Sequence, residues 1–293
     1  MTLIVIKALV GIVVVLGLIY VSENLSPRIA GIIGGTPIGA TAVVLFFYGI
    51  EHGIGYVQEA IPWTIGGLGI ELGGFYVAYF LGSRIFKSSR HTLVHVAASL
   101  VCSFAVLLVM GSLLALNTLT IGSALSIFFI GYFIGNSVAQ LIPPHEPMEK
   151  RTLTITLHII RIAFVVALIL LITSAPLVLS HRWSGILASF PATIFPLLLI
   201  LQLTYKNAMF PTIIKNISWS TSTLVVYILM VYLLYPVLGV YGGTIASFMI
   251  SLSYFLVMRE SIIVFTNFMR HGLSRGFFVT AAKSPTNRFA VRR

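Results

Sequence analysis

The sequence predicts an all-α, polytopic membrane helical bundle, and three observations lead to this fold class. The chain has 293 residues, of which 58% are hydrophobic and only 9% are charged. A soluble domain carries roughly 25% charged residues, so this chain has too few to cover a folded surface in water. Its apolar stretches reach the roughly 20 residues that a spanning helix needs. They also lack the alternating pattern of barrel strands.

The same composition excludes several classes of protein. A soluble enzyme and a nucleic-acid-binding protein are set aside, because the net charge of +11 resides largely in loops and a tail beside apolar segments. Cys102 is the only cysteine, so an intramolecular disulfide cannot form and a disulfide-stapled secreted protein is excluded.

Apolar stretches of spanning length occur nine times, and each is expected to form one transmembrane helix. Their predicted bounds are 3–22, 29–50, 63–82, 93–116, 121–141, 154–175, 183–203, 217–235 and 237–257. The first stretch has no basic residue before its apolar run and no small-residue cleavage site after it. We therefore interpret it as a retained helix and not as a signal peptide.

The basic residues predict the orientation of these nine spans. Fifteen of the 18 basic residues fall in the C-terminal tail or in loops on one side of the layout. Of the other three, Lys7 and Arg161 lie within spans and Arg182 lies on the opposite side. Because cytoplasmic loops carry the excess of Lys and Arg, the N-terminus is predicted outside and the C-terminus inside. The expected location is the cell (inner) membrane.

A segment of the first half returns in the second half with a constant offset of 154 residues. The recurring residues are Leu25, Ser26, Arg28, Gly31, Ile32 and Pro37, which return as Leu179, Ser180, Arg182, Gly185, Ile186 and Pro191. The same offset pairs Lys7 with Arg161. After small gaps, Trp63 matches Trp219, and Ser99 and Ser103 match Ser247 and Ser251. The chain is therefore interpreted as a duplication.

The duplication predicts four segments. They are a first four-helix repeat (1–116), a linker helix with a cytoplasmic loop (117–152), a second four-helix repeat (153–258) and a basic tail (259–293). The extra linker helix inverts the second repeat, and inverted repeats are typical of secondary transporters. In the tail, residues 261–280 are expected to form an amphipathic helix on the anionic lipid of the inner leaflet. Residues 281–293 are expected to be disordered.

Each half also resembles a known family. Lys7-Ala8-Leu9 in the opening helix, a polar break, and then Ala30-Gly31 with Pro37 are similar to the GlpM-like family of four-helix bacterial inner-membrane proteins. The second half departs from this pattern, with Arg161 and Ser184-Gly185 at the matching places. The resemblance implies a small membrane unit that can pair with itself, here fused, and it implies no known reaction.

Ionisable residues inside spans are costly and are candidates for function. Glu71 lies near the middle of its span among glycines, and two readings stay open: a proton or cation coupling site, or a buried ion pair with Lys7 or Arg161. Lys7 lies near the end of its helix, where its amine can reach the interface. Arg161 is deeper, beside His158, and an internal role is expected for it.

The repeated arginine, glycine and proline residues are the best candidates for substrate binding. Arg28 and Arg182 each begin a helix, where free N–H groups favour anions. Gly31 and Gly185 follow one turn later, and Pro37 and Pro191 lie inside apolar spans, where proline invites a kink or a break. Broken helices at corresponding places in two halves indicate a transporter site. The alternative is that these residues only serve packing and mark the interface.

The expected function is a multi-pass secondary carrier that transports a small or amphiphilic, anionic solute by alternating access. A flippase for a lipid or lipid carrier is one alternative, and a non-transporting scaffold for an envelope enzyme is another. An enzyme is not expected, because the chain contains no Asp and no hydrolase or zinc-protease motif. Neither a metal nor a cofactor is predicted. Membrane lipid and the solute are the expected partners, and self-association is left open.

Overall fold

The computed structural model describes residues 2–24, 32, 36–37, 39–86, 91–142, 155–205 and 210–281. Of these residues 91% are helical, and no strand occurs among them. The chain divides into two compact units, Met1–Ser251 and Leu252–Arg293. All side-chain contacts discussed below lie within the first unit. In the second unit the described residues are helical as far as Ala281.

Nine α-helices follow one another in the described residues. They are α1 (Thr2–Asn24), α2 (Ala40–Ile70), α3 (Tyr76–Ile85), α4 (Thr92–Leu116), α5 (Ile121–Gln140), α6 (Ile155–Thr173), α7 (His181–Ala188), α8 (Ile194–Tyr205) and α9 (Phe210–Ala281). A π-helical turn, Glu71–Phe75, joins α2 to α3. A short 3₁₀ turn, Ala175–Leu177, follows α6.

Two of these helices contain a glycine at which the chain turns back. Gly53 in α2 and Gly239 in α9 have positive φ angles of 85° and 69°, which glycine adopts at no steric cost. The rings of Tyr48 and Tyr56, on either side of Gly53, lie 5.8 Å apart. A straight helix would separate residues eight positions apart by about 12 Å. The hydroxyl groups of Tyr235 and Thr244 likewise meet at 2.7 Å across Gly239.

Five helical segments of the described residues are long and apolar enough to cross a membrane. They are Ala40–Ile85, Thr92–Leu116, Ile121–Gln140, Thr156–Leu177 and Ser220–Met258. Two shorter apolar stretches, Ile4–Val13 and Ile194–Thr204, accompany them. The prediction of an all-helical membrane protein is therefore confirmed.

Several predicted bounds are wrong for local reasons. The span predicted at 183–203 is not one helix, because the chain leaves the helix between Ala188 and Ile194, around a proline. The span predicted at 29–50 is not one continuous helix, because Thr36, Pro37 and Gly39 are not helical and α2 begins at Ala40. The predicted division near residue 236 falls instead at Gly239, since α9 retains Pro236 within it.

Glycines bring the middle of the chain into backbone contact with the linker helix α5. Gly69 and Gly73 face Gly131 and Gly135. Within each segment the two glycines are four positions apart, which is the Gly-x-x-x-Gly spacing of close helix crossings. A Cβ atom on Gly73 would lie 2.7 Å from the Cα of Gly131, and one on Gly131 would overlap the backbone of Gly69. The obstructing atoms are backbone, so no side-chain movement can make room.

We expect Gly131→Leu to abolish the folded state or to lower its thermal unfolding midpoint strongly in detergent. Overpacking a close contact costs about 1–3 kcal/mol or more, and here the rigid backbone of Gly69 adds to that cost. The control is Ile130→Leu, one residue away, since the Ile130 side chain is exposed toward lipid. Equal unfolding midpoints for the two variants would contradict the close crossing.

Candidate functional site

The predicted break at Pro191 lies between two short helices. The helices α7 and α8 contain 8 and 12 residues, and residues 189–193 between them are not helical. We call α7 and α8 the broken pair. Ala188 is buried and so are Phe190, Ala192 and Thr193. An irregular backbone is tolerated in a membrane only where protein or a water-filled cavity surrounds it, and here protein surrounds it.

The broken pair runs alongside the limb of the chain that follows Gly53. This central limb, residues 54–85, consists of the end of α2, the π-helical turn and α3. Gly185 meets the backbone of Ala60, Ser189 meets Gly67, and Gln202 bonds to Tyr79. The residue numbers rise together along both segments. The broken pair and the central limb are therefore parallel neighbours, and the two helices of the pair continue in one direction.

Glu71 lies on the central limb one turn after Gly67, which contacts Ser189 of the break. It is buried, in the first position of the π-helical turn, and the hydroxyl of Tyr76 hydrogen-bonds to it. Residues four apart on a helix share a face, so Glu71 shares the face on which Gly67 contacts Ser189. Within the described part of the chain Glu71 makes no ion pair. The π-helical geometry is itself frequent at functional sites.

Phenylalanine rings fill the space between the break, the end of the π-helical turn and the helices α4 and α6. Phe75, at the end of the π-helical turn, lies 5.6 Å from Phe190 and 5.9 Å from Phe195, measured between ring centroids. Phe104 of α4 lies 5.5 Å from Phe195, and Phe164 of α6 lies 5.9 Å from it. This phenylalanine cluster joins four elements around Pro191 and closes the break there.

Lys7 pairs with Glu51 and not with Glu71. The Lys7 Nζ atom lies 2.5 Å from a Glu51 carboxylate oxygen, and 5.7 Å from the centre of the Phe47 ring. Lys7 is buried, so the expectation that its amine reaches the interface is wrong. The reason is that the carboxylate of Glu51, at the end of the limb before Gly53, supplies a counter-charge inside the protein. His52 Nε2 lies 3.8 Å from the second carboxylate oxygen.

The second copy of the predicted substrate motif lies within the described residues. Arg182 donates a hydrogen bond of 2.9 Å from Nη1 to the carbonyl oxygen of Ala115, and its guanidinium lies over the ring of Trp63. It therefore joins α7 to the last turn of α4. Gly185 permits the close approach of α7 to Ala60, and Pro191 lies in the break.

The first copy of the motif is described only in part. Arg28 and Gly31 lie outside the described residues, as do 282–293 of the predicted disordered end. Pro37 is buried in the turn before α2. Of the other predicted ionisable residues, Arg161 is buried on α6 and His158 is half-buried one turn before it. Within the described residues, neither Arg161 nor His158 forms an ion pair with Glu71.

Sequence reasoning missed a buried polar connection between the central limb and the broken pair. The Tyr79 hydroxyl donates to Gln202 Oε1 at 2.6 Å, and Gln202 Nε2 donates to the Ser99 hydroxyl at 3.1 Å. All three side chains are fully buried. The signal was present in the sequence. Gln202 is the first polar residue after eight residues, Ile194–Leu201, which are all apolar.

Comparisons with protein-family models, with curated proteins and with solved structures find no match. The similarity to the GlpM-like family therefore stays a prediction.

The contact between Lys7 and Glu51 predicts how single and double substitutions change the free energy of unfolding. Removing one partner of a buried ion pair costs about 3–5 kcal/mol, whereas replacing both with apolar residues is often neutral. Lys7→Met and Glu51→Leu should each lower the free energy of unfolding in detergent, and the double variant should recover most of the loss. Glu59→Gln, at an exposed carboxylate, is the control. Additive losses in the double variant would contradict the pairing.

Proposed function

We propose that the chain is a secondary carrier in which two inverted repeats alternate access to a central site. The observation that carries this proposal is the buried carboxyl group of Glu71 beside the buried break at Pro191. Carriers place discontinuous helices at their binding sites, where free backbone groups meet substrate and coupling ion. Ionisable residues in the interior of a membrane bundle mark such pathways.

The proposed layout has nine crossings, with the reversals at Gly53 and Gly239 dividing α2 and α9. Equivalent helix starts support the repeat. The helix α2 begins at Ala40 and α8 begins at Ile194, each three residues after a proline and 154 residues apart. The limb after Gly239 begins 148 residues after the start of α4. That offset also relates four buried serines, Ser99 and Ser103 to Ser247 and Ser251.

In this proposal Glu71 is the proton-coupling residue. A buried charge without a counter-charge is costly, and the hydroxyl of Tyr76 offers only a neutral partner. Glu71 therefore carries a proton while the break is closed. When the broken pair moves away from the central limb, water reaches the carboxyl group and the proton leaves. Phe190 and Phe195 separate from Phe75 in the same movement.

Arg28 and Arg182 supply the proposed preference for an anionic solute. The guanidinium group has five donors in a rigid fork that matches a carboxylate or a phosphate. One donor of Arg182 bonds to Ala115 in the described chain, and in this proposal the rest of the guanidinium fork binds the substrate. Because the repeats are inverted, the two arginines meet the substrate at opposite faces of the membrane. With an amphiphilic substrate, the same mechanism is that of a flippase for a lipid or a lipid carrier.

A scaffold is the second candidate function, and the phenylalanine cluster favours it. A solid apolar contact between the two halves is what a non-moving membrane protein requires, and four elements meet in such a contact at Pro191. The two candidates differ in one physical property: a carrier populates two arrangements of its halves, and a scaffold populates one.

Spin-label distances separate the carrier from the scaffold. In a Cys102→Ser background, one pair of labels at Glu59 and Leu177 and another at Arg84 and Leu203 use exposed positions in the two halves. On raising the pH, the carrier proposal expects one distance to lengthen and the other to shorten in lipid nanodiscs. Glu71→Gln, which imitates the protonated carboxyl group, should hold the low-pH distances at every pH. Distances that never change with pH would support the scaffold and overturn the carrier.

A further inference from the structure

A groove lies between α4 and α5 where they meet the central limb. Its volume is about 420 Å³, and apolar side chains line most of it, among them Ile70, Met110, Leu113 and Ile127. Leu113 is 58% exposed and Met110 is 46% exposed. Both belong to Thr92–Leu116, a helix of membrane-spanning length. The groove is therefore open toward the surface that the hydrocarbon of a bilayer covers.

One end of the groove is polar. Asn117 and Thr118 line it there, in the exposed connection between α4 and α5. Thr120 and Ser123 form a capping box at the start of α5, directly after Leu119. The connection is therefore short and ordered by hydrogen bonds. Helix ends with polar side chains lie at the interface between hydrocarbon and headgroups. The groove thus passes from hydrocarbon at its apolar part to the headgroup level at Asn117.

Two side chains from other elements fix the wall of the groove. The indole Nε1 of Trp63 donates to the carbonyl oxygen of Leu114 at 3.3 Å, and Arg182 donates to that of Ala115 at 2.9 Å. Both acceptors belong to the last turn of α4, and the carbonyl of Leu114 also accepts from the backbone N–H of Asn117. The groove is thereby held open before any ligand arrives, and a preformed site loses less free energy on binding.

We propose that this groove binds one acyl chain of a membrane phospholipid, with the headgroup beside Asn117 and Thr118. An acyl chain enters directly from the bilayer and needs no hydrogen bonds along its length. A polypeptide segment would bring unpaired backbone groups into the hydrocarbon, and a water-soluble ligand would have to cross it. The site is argued from its own lining and does not rest on the carrier proposal, although Arg182 takes part in both and Ile70 in its wall precedes Glu71 in the chain.

The test uses vesicles of phosphatidylethanolamine and phosphatidylglycerol that contain a phosphatidylglycerol with a diazirine in its acyl chain. After illumination, mass spectrometry of peptides measures the labelling of each segment. Leu113→Trp fills the groove, and Leu108→Trp is the matched control, because Leu108 is equally exposed at 58% on the same helix but does not line the groove. We expect labelling of segment 110–127 to fall several-fold in Leu113→Trp and to match the parent protein in Leu108→Trp.

Lipid that merely surrounds the protein would give a different result. Labelling would then be spread along every lipid-facing helix, and the two tryptophan variants would change it equally; either result overturns the proposal. Thermal unfolding of both variants is measured alongside. If Leu113→Trp does not fold, Met110→Trp replaces it at a second exposed position of the same wall, with the same expected loss of labelling.

Discussion

The rest of the structure depends on one constraint: a non-helical backbone segment within a membrane-spanning bundle must be surrounded by protein. Backbone groups that face lipid without a partner are very costly. At residues 189–193 the chain leaves its helix, and only turn-type hydrogen bonds hold the amides of Ser189, Phe190 and Ala192. The central limb meets this need on one side, with Gly67 and Gly185 permitting close contact. The phenylalanine cluster meets it on another side. The tight glycine contacts with α5 in turn hold the central limb in place.

Half-buried Glu51 and buried Glu71 have different surroundings. Glu51 lies at the end of a limb, within reach of Lys7, and forms an ion pair that ties α1 to α2. Glu71 lies halfway along the central limb and has the hydroxyl of Tyr76 as its side-chain partner. A paired carboxylate stabilises the bundle, whereas a buried carboxyl group without a cation is suited to gaining and losing a proton. The two residues therefore differ in their partners: Glu51 has the Lys7 ammonium, and Glu71 has the neutral hydroxyl of Tyr76.

The sequence predicted the helical class, a helix at Ile121–Gln140 and the break at Pro191, because composition, length and proline chemistry determine these locally. It did not predict which charges pair. Lys7 and Glu51 are 44 positions apart, and only the reversal at Gly53 brings the end of that limb beside α1. The same holds for Gln202 and Tyr79, whose bond follows from the parallel packing of the broken pair. Such contacts arise from tertiary packing, which periodicity and spacing do not encode.

Inversion of the two repeats is the central claim, and the accessibility of equivalent loop positions tests it most directly. Ser26 and Ser180 occupy the same place in the proposed repeat, 154 residues apart. In a Cys102→Ser background, a membrane-impermeant thiol reagent applied to intact cells should label a cysteine at 180 and should label one at 26 only after the membrane is opened. Labelling of both positions from the same side would contradict the inverted repeat and the carrier mechanism that rests on it.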